Sequence, residues 1–280
     1  MTTYGMLIDV DRCTGCYNCL LSCKDEFCGN DYENYSAAQP EFGQFWMNIK
    51  EVERGTYPKL KVDYIPIPCM QCQNAPCIKA AVNGAVYKRD DGIVMIDPIK
   101  AKGQREIAMA CPYRVIYWNA ELDVPQKCTF CAHGLDSGWK APRCVEACPT
   151  DAIVFGDLDD SGSAISKLKA AGNYKRLHPE FALNSNVLYK DLPKRLIAGE
   201  VVLSDKKDEC AQDVNITLKQ DGNVISTTMT NVYGDFEFDG LDQDAAYAVT
   251  IEMDGYVAVH ETIRTKIDVN LGEIELAPDN

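Results

Sequence analysis

Twelve of the fourteen cysteines in this chain fall into three sets of four, and no other feature constrains the fold as strongly. The first set is Cys13-Thr-Gly-Cys16-Tyr-Asn-Cys19-Leu-Leu-Ser-Cys23, which reads C-x2-C-x2-C-x3-C. The second is Cys69-x2-Cys72-x4-Cys77, followed much later by Cys111-Pro112. The third is Cys128-x2-Cys131-x12-Cys144-x3-Cys148-Pro149. Disulfides would imply an oxidising compartment. Zinc would use paired C-x2-C knuckles, often with His. Only three His occur (His133, His178, His260), and the first run suits zinc poorly. Spacing of this kind is used to hold [4Fe–4S] cubes with four thiolates each. Twelve thiolates then make three cubes.

The spacing also predicts which cysteines go together. Three thiolates on one tight loop embrace one cube, whereas the fourth starts a helix that points away. In two-cluster bacterial ferredoxins that fourth cysteine ligates the other cluster. Ligands are therefore shared between runs. Cys13, Cys16 and Cys19 are expected to take Cys148 as the first site. Cys128, Cys131 and Cys144 take Cys23 as the second, and Cys69, Cys72 and Cys77 take Cys111 as the third. Cys28 and Cys210 are left over and read as ordinary thiols.

Over roughly the first 160 residues these runs resemble the iron–sulfur subunits of the dimethyl sulfoxide reductase family of molybdopterin oxidoreductases, which includes nitrate reductase and formate dehydrogenase. Those subunits look like two fused ferredoxins with four cysteine runs and four clusters. The departures are specific. Ala81 stands where the family's second run has its fourth cysteine, and of the family's third run only Cys111-Pro112 remains. The preceding stretch, Ile99-Lys-Ala-Lys-Gly-Gln-Arg-Glu-Ile-Ala-Met-Ala110, has no cysteine. The four missing ligands would have bound a single cluster. The resemblance makes it the cluster farthest from molybdenum and nearest a membrane partner, so its loss implies no electron exit to a membrane.

A narrower resemblance is to the small subunits of pyrogallol–phloroglucinol transhydroxylase and related aromatic hydroxyl-transferring or dehydroxylating molybdenum enzymes. It rests on Arg54-Gly-Thr-Tyr-Pro58, Gly84-Ala-Val-Tyr87, Asp90-Asp-Gly-Ile-Val94, Cys111-Pro-Tyr113, Tyr117-Trp-Asn119 and Gln126-Lys-Cys-Thr-Phe-Cys-Ala-His133. It implies an electron-transfer subunit docked on a large molybdopterin catalytic subunit, with molybdopterin in that partner only. The complex, a heterodimer or higher, would act on polyhydroxylated aromatics. The alternative is the iron–sulfur subunit of a respiratory molybdopterin reductase for dimethyl sulfoxide, polysulfide or a similar acceptor. The missing cluster and the lack of a membrane segment count against it.

Composition narrows the partners. The net charge is −14, and each cube with its thiolates adds about −2. With no basic stripe, nucleic acid is not an expected partner. No stretch approaches the ~18 apolar residues needed to cross a bilayer. Met1-Thr-Thr-Tyr-Gly-Met-Leu-Ile-Asp9 lacks a basic and an apolar leader region, so a cytoplasmic location is expected unless a partner supplies an export signal. No nucleophile–base constellation or glycine-rich phosphate cradle is legible, so catalysis is expected in the partner.

The expected architecture is α+β: two nested ferredoxin-like units followed by an all-β sandwich. Residues 1–160 form the iron–sulfur domain, with an inner unit over about 62–119 nested in the outer one. Gly5–Val10 reads as a strand, with matching strands after Cys111 and Cys148, and residues 85–96 as a hairpin with an Asp-Gly turn. Residues 161–196 read as a polar, irregular arm or linker embracing a partner, with one short amphipathic segment around Ile165 and Leu168. From 197 to 280, alternation such as Val214-Asn-Ile216-Thr-Leu218 and Tyr247-Ala-Val249-Thr-Ile251 predicts seven or so short strands. Gly234-x-Phe236-x-Phe238-x-x-Leu241 there resembles transthyretin-like or carboxypeptidase-regulatory-like sandwiches.

Three side-chain groups stand out near the cysteines. Lys127 either favours a reduced neighbouring cluster or is a surface lysine. His133 either hydrogen-bonds near a cluster, faces a partner or is a solvated loop residue. The aromatics Tyr32, Tyr35, Phe42, Phe45, Trp46 and Tyr57 either cover clusters or meet a partner. The pairs Asp90-Asp91 and Asp159-Asp160 read as turn residues.

Overall fold

The computed structural model describes residues 2–206 and 209–279. It divides into two compact units. The first holds the chain up to Glu51 together with Tyr64–Leu192, and the second holds Val52–Asp63 and the chain from Pro193 onward.

The first unit opens with β1 (Tyr4–Asp9) and α1 (Asn18–Phe27). A hairpin of β2 (Asn48–Thr56) and β3 (Lys59–Ile67) follows, with its base in this unit. Next come α2 (Pro76–Ala80), β4 (Val86–Lys88), β5 (Val94–Ile96), α3 (Glu106–Met109), β6 (Tyr117–Asn119) and β7 (Val124–Gln126). The unit ends with α4 (Ala132–Asp136), α5 (Arg143–Glu146), β8 (Ile153–Asp157), α6 (Ala164–Ala171) and β9 (Val187–Lys190). Most of these pieces are one helical turn or three residues of strand. Helices this short are not stable alone, so tertiary contacts must hold them.

The nesting of the two halves is visible in the strand pairing. β1 pairs antiparallel with β8, Leu7 facing Val154, which brings the chain after Cys148 back beside the chain before Cys13. Between them, β4 and β5 form the expected hairpin, Val86 opposite Ile96, closed at Gly92 in the left-handed region. β6 and β7 form a second hairpin.

Residues 161–196 correct the expectation of an irregular arm. Ser163 caps α6, its Oγ accepting from the Ser166 N–H at 3.2 Å. Ile165 then packs on Leu7 and Leu188. β9 joins β1 in parallel as the third strand of its sheet, and Tyr189 is buried with its hydroxyl donating to the Pro66 carbonyl at 2.9 Å. Apolar residues at the sheet positions Val187, Leu188 and Tyr189 supply the driving force, although the polar residues around them hide it in the sequence.

The second unit is mostly β. β10 (Arg195–Leu203) is the middle strand of one sheet, antiparallel to β13 (Asp235–Leu241) and parallel to β16 (Val269–Leu276). The other sheet runs in the order β12 (Asn223–Met229), β11 (Asn215–Gln220), β14 (Ala246–Glu252), β15 (Val259–Arg264). The alternating residues meet as their period of two dictates: Ile216 pairs with Ile251 and Leu218 with Val249, in one core with Phe236 and Phe238. Asp221 and Gly222, both at positive φ, make the tight turn between β11 and β12.

Candidate metal centres

The first four-cysteine set assembles where the β1 and β8 loops meet. Asp9 N–H donates to the Ala152 carbonyl at 2.8 Å, which fixes the two loops side by side. Cys13, Cys16, Cys19 and Cys148 all line one small cavity, together with Ile49, Pro66 and Ile153. Gly15 sits in this loop at φ +66°, and a Cβ there would lie 2.6 Å from the Tyr64 ring. Only glycine supplies both the conformation and the room.

The second set gathers inside. Cys23 lies one helical turn after Cys19 on α1, so the two point along the same face toward different sites. Cys131 precedes α4 and Cys144 lies in α5, which packs on α1. Phe130 and Cys131 both adopt left-handed φ, 53° and 52°, and the Phe130 N–H points at Cys128 Sγ at 3.4 Å. The thiols of Cys128 and Cys131 bear electrostatically on Cys23, and those of Cys131, Cys23 and Cys128 bear on Cys144.

The third set lines another small cavity. Cys69, Cys72, Cys77 and Cys111 surround it, with Met70, Val94 and Leu183. Cys77 is held by α2, whose first residue is Pro76, and Cys111 follows α3. The second set adjoins both others, since Cys144 senses Cys19 and Cys128 senses Cys69.

Burial dominates the chemistry of these thiols. It pushes Cys23 and Cys144 well above the ordinary thiol range, and Cys19 and Cys72 up to about 12, with neighbouring thiols adding to it. Backbone N–H groups oppose this: those of Val115, Tyr113 and Arg114 face Cys111, and that of Met47 faces Cys23. Donors aimed at sulfur favour thiolate and adjust cluster potential. The protonated sets would release protons on taking up iron.

The donor spacing tests which metal fits. Among the described residues, no three or more His, Cys, Asp or Glu side chains gather tightly enough for a single ion. Tetrahedral zinc would hold its thiolates ~3.8 Å apart, given Zn–S bonds of ~2.3 Å. A cube binds each thiolate through a different iron, so it fits four cysteines that line one cavity without converging on a single point.

The stretches that lack cysteines relative to the resembling family also meet. Ala81 follows directly on α2, and its neighbour Val82 donates its N–H to Gln104 Oε1 at 2.9 Å. Gln104 Nε2 donates to the Lys100 carbonyl at 2.7 Å, and Ala101 and Ile107 are fully buried. Side chains and backbone fill this corner.

Two alternatives that the sequence leaves open are narrowed by burial. His133 is not a solvated loop residue: it lies buried in α4, Nε2 3.1 Å from Glu26 Oε1, with its ring stacked on Tyr32 at 3.7 Å. Lys127 is not on the surface; only 2 % of it is exposed. The aromatics divide: Trp46 is buried against Phe27, whereas Phe42 and Tyr57 are largely exposed. The acidic pairs are turn residues as expected, Asp91 Oδ1 accepting from Ile93 N–H and Asp160 Oδ1 from Gly162 N–H. Sequence reasoning missed Glu26 and Gln71. Glu26 lies three residues after Cys23 on α1, and its Oε2 is 3.2 Å from Arg143 Nε. Gln71 is wholly buried between Cys69 and Cys72, a position that could have marked it.

The comparisons agree with this centre. Residues 60–158 match the family model of the 4Fe-4S dicluster domain. The small subunit of pyrogallol hydroxytransferase from Pelobacter acidigallici is 41 % identical over 99 % of this chain and 100 % of its own length. A putative iron–sulfur subunit of dimethyl sulfoxide reductase from Halobacterium salinarum is 36 % identical over 68 % of this chain and 79 % of its own. PhsB, the electron transfer subunit of thiosulfate reductase from Salmonella typhi, is 36 % identical over 56 % of this chain and 78 % of its own. The chain belongs to the iron–sulfur electron-transfer subunits of the molybdopterin oxidoreductases.

Proposed function

We propose that this chain holds three [4Fe–4S] clusters and serves a large molybdopterin subunit that transfers or removes hydroxyl groups on polyhydroxylated aromatics. The observation that carries the reading is the convergence of twelve cysteines into three four-thiol sets, the second adjoining both others. Cys13, Cys16, Cys19 and Cys148 would hold the first cube; Cys23, Cys128, Cys131 and Cys144 the second; Cys69, Cys72, Cys77 and Cys111 the third.

A bound [4Fe–4S] cube supplies reversible one-electron storage. The chain's residues bury the sulfurs, exclude water from the second set and aim N–H groups at thiolates. Similarity over nearly the whole chain to a pyrogallol hydroxytransferase small subunit supports the aromatic substrate class. Moving a hydroxyl between two aromatics has no net redox change, so it requires no electron exit, in keeping with the corner filled around Gln104. A cytoplasmic location fits, and no helix among the described residues is long and apolar enough to cross a membrane. The C-terminal strands, read as a transthyretin-like sandwich, would serve a structural or interfacial role.

The test is anaerobic purification of the native complex with iron and molybdenum analysis. About twelve irons per copy of this chain, with molybdenum in a co-purifying large subunit, are expected. Turnover of pyrogallol or catechols should follow. Zinc in place of iron would overturn the cluster reading. About sixteen irons in this chain would overturn the count. A complex that reduces dimethyl sulfoxide or polysulfide and leaves polyhydroxylated aromatics untouched would favour the respiratory alternative.

A further inference from the structure

Lys127 is a buried cation without a carboxylate partner among the described residues. Its Nζ donates to two main-chain carbonyls, those of Val94 and Cys128, the latter at 3.1 Å. The small cavity beside it is lined by Ser36, Trp46, Gln126 and Thr129 among others, and none of its lining residues is acidic. A buried charge is strongly destabilising unless something of opposite sign compensates it. Its charge is felt at Cys77 and Cys72 of the third set and at Cys128 of the second, whose thiolates would supply the opposite sign once iron is bound.

The ammonium is also fixed in place. Gln71, wholly buried, donates from Nε2 to the Cys128 carbonyl at 3.2 Å and accepts the Val94 N–H at 2.8 Å. It therefore braces the same two backbone segments that hold Nζ. Val94 lines the third cavity, and Cys128 is a ligand of the second set, so the lysine stands at the junction of the two.

We propose that Lys127 is the shared counter-ion of the second and third clusters and raises the reduction potentials of both relative to the first. The inference rests on the reading that both sets hold cubes. Each cube gains one negative charge on taking up an electron, so a fixed nearby cation stabilises the reduced form more than the oxidised one. Burial keeps salt from screening the effect. The first set does not adjoin this cation: of the two residues whose carbonyls hold Nζ, Val94 lines the third cavity and Cys128 belongs to the second set, whereas neither they nor Lys127 line the first cavity.

The test is a dithionite redox titration of the intact complex, followed by electron paramagnetic resonance, with wild type, Lys127→Gln and Lys127→Arg. In Lys127→Gln two of the three midpoints should fall, each by at least a tenfold change in the reduction equilibrium, about 59 mV for one electron. The third midpoint should stay, and Lys127→Arg should restore the two that moved. Unchanged midpoints, or an equal shift of all three, would overturn the proposal. Should Lys127→Gln lose iron, Lys127→Arg decides. The shared charge requires it to keep about twelve irons with both midpoints within tenfold of wild type, and loss of iron or larger shifts there would sink it. A wild-type complex without iron would instead defeat the functional reading itself, which iron analysis detects separately.

Discussion

The two units of this molecule solve the problem of an interior in opposite ways. In the second, strands alternate, and Ile216, Leu218, Val249 and Ile251 meet Phe236 and Phe238 in a continuous apolar core. Its buried polar residues are threonines on strands and in turns, plus Arg54. The first unit buries eight cysteines, and with them Lys127, His133, Gln71 and Gln126. Its elements are mostly a turn of helix or three residues of strand. One interior is held by water leaving apolar surface. The other also buries apolar residues, among them Met6, Leu7, Ile8, Trp46, Ile93 and Met95, but sets cysteines and hydrogen-bonding side chains among them, and bound metal is expected to tie its short pieces together.

That contrast is most exposed by removing iron. Chelation under anaerobic conditions is expected to release the first unit and spare the second. Hydrogen exchange in α2 through α5 should approach that of an unfolded chain while β11 and β14 stay protected. Retained protection in α5 without iron would refute the idea that metal holds these helices.

The converse perturbation belongs to the apolar core. Leu218→Ala, at a fully buried position in β11, should cost about 2–5 kcal/mol of stability. Denaturant unfolding followed in the second unit would report it, and iron content should not change. Loss of iron on this substitution would mean the two interiors are not independent.

A smaller effect is expected where the second unit buries charge. Arg54 bonds both Asp63 and Asp239, and Lys61 also reaches Asp239. Burial alone would raise the Asp239 carboxyl, but the hydrogen bonds from Arg54 and Lys61 outweigh it and bring it down to about 2. A folded value below the unfolded one contributes stability that is present above about pH 4. That stability is lost as pH falls through about 2. Carboxyl NMR should find the Asp239 midpoint near 2, moving toward 4 in Arg54→Gln, at a cost of about 1–3 kcal/mol. No movement of that midpoint would show that Arg54 does not set it.

Least of all should follow from Lys194→Ala. This lysine pairs with Asp242 at 2.9 Å with both side chains at least half exposed. Solvent screens such a pair, and thermal unfolding should detect a change of no more than about 0.5 kcal/mol. A larger loss would show that Lys194 carries more than a screened pair.

Legibility followed the same division. Cysteine runs were plain because cysteine is a rare residue and a C-x2-C-x2-C-x3-C spacing is read locally from the chain. Strands of the second unit were plain because a half-buried sheet must alternate. Lys127 and His133 were ambiguous because burial of a polar side chain depends on what folds over it: for His133 that is Tyr32, about a hundred residues away in sequence. β9 was missed for a related reason, since Val187–Tyr189 acquire their role only on meeting β1.

By itself, then, the sequence determined the ligand inventory, the runs that bring it and the apolar alternation of the C-terminal strands, because each follows from local chemistry at fixed spacing. Only the tertiary structure decided that Gln104 spans the corner beside Ala81, that the hairpin tip Val52–Asp63 belongs with the second unit, and that a lysine lies buried at the junction of two cysteine sets. Each of these depends on segments far apart in the chain meeting in space, and the energy of a charge or an amide is set by the neighbours that such meetings provide.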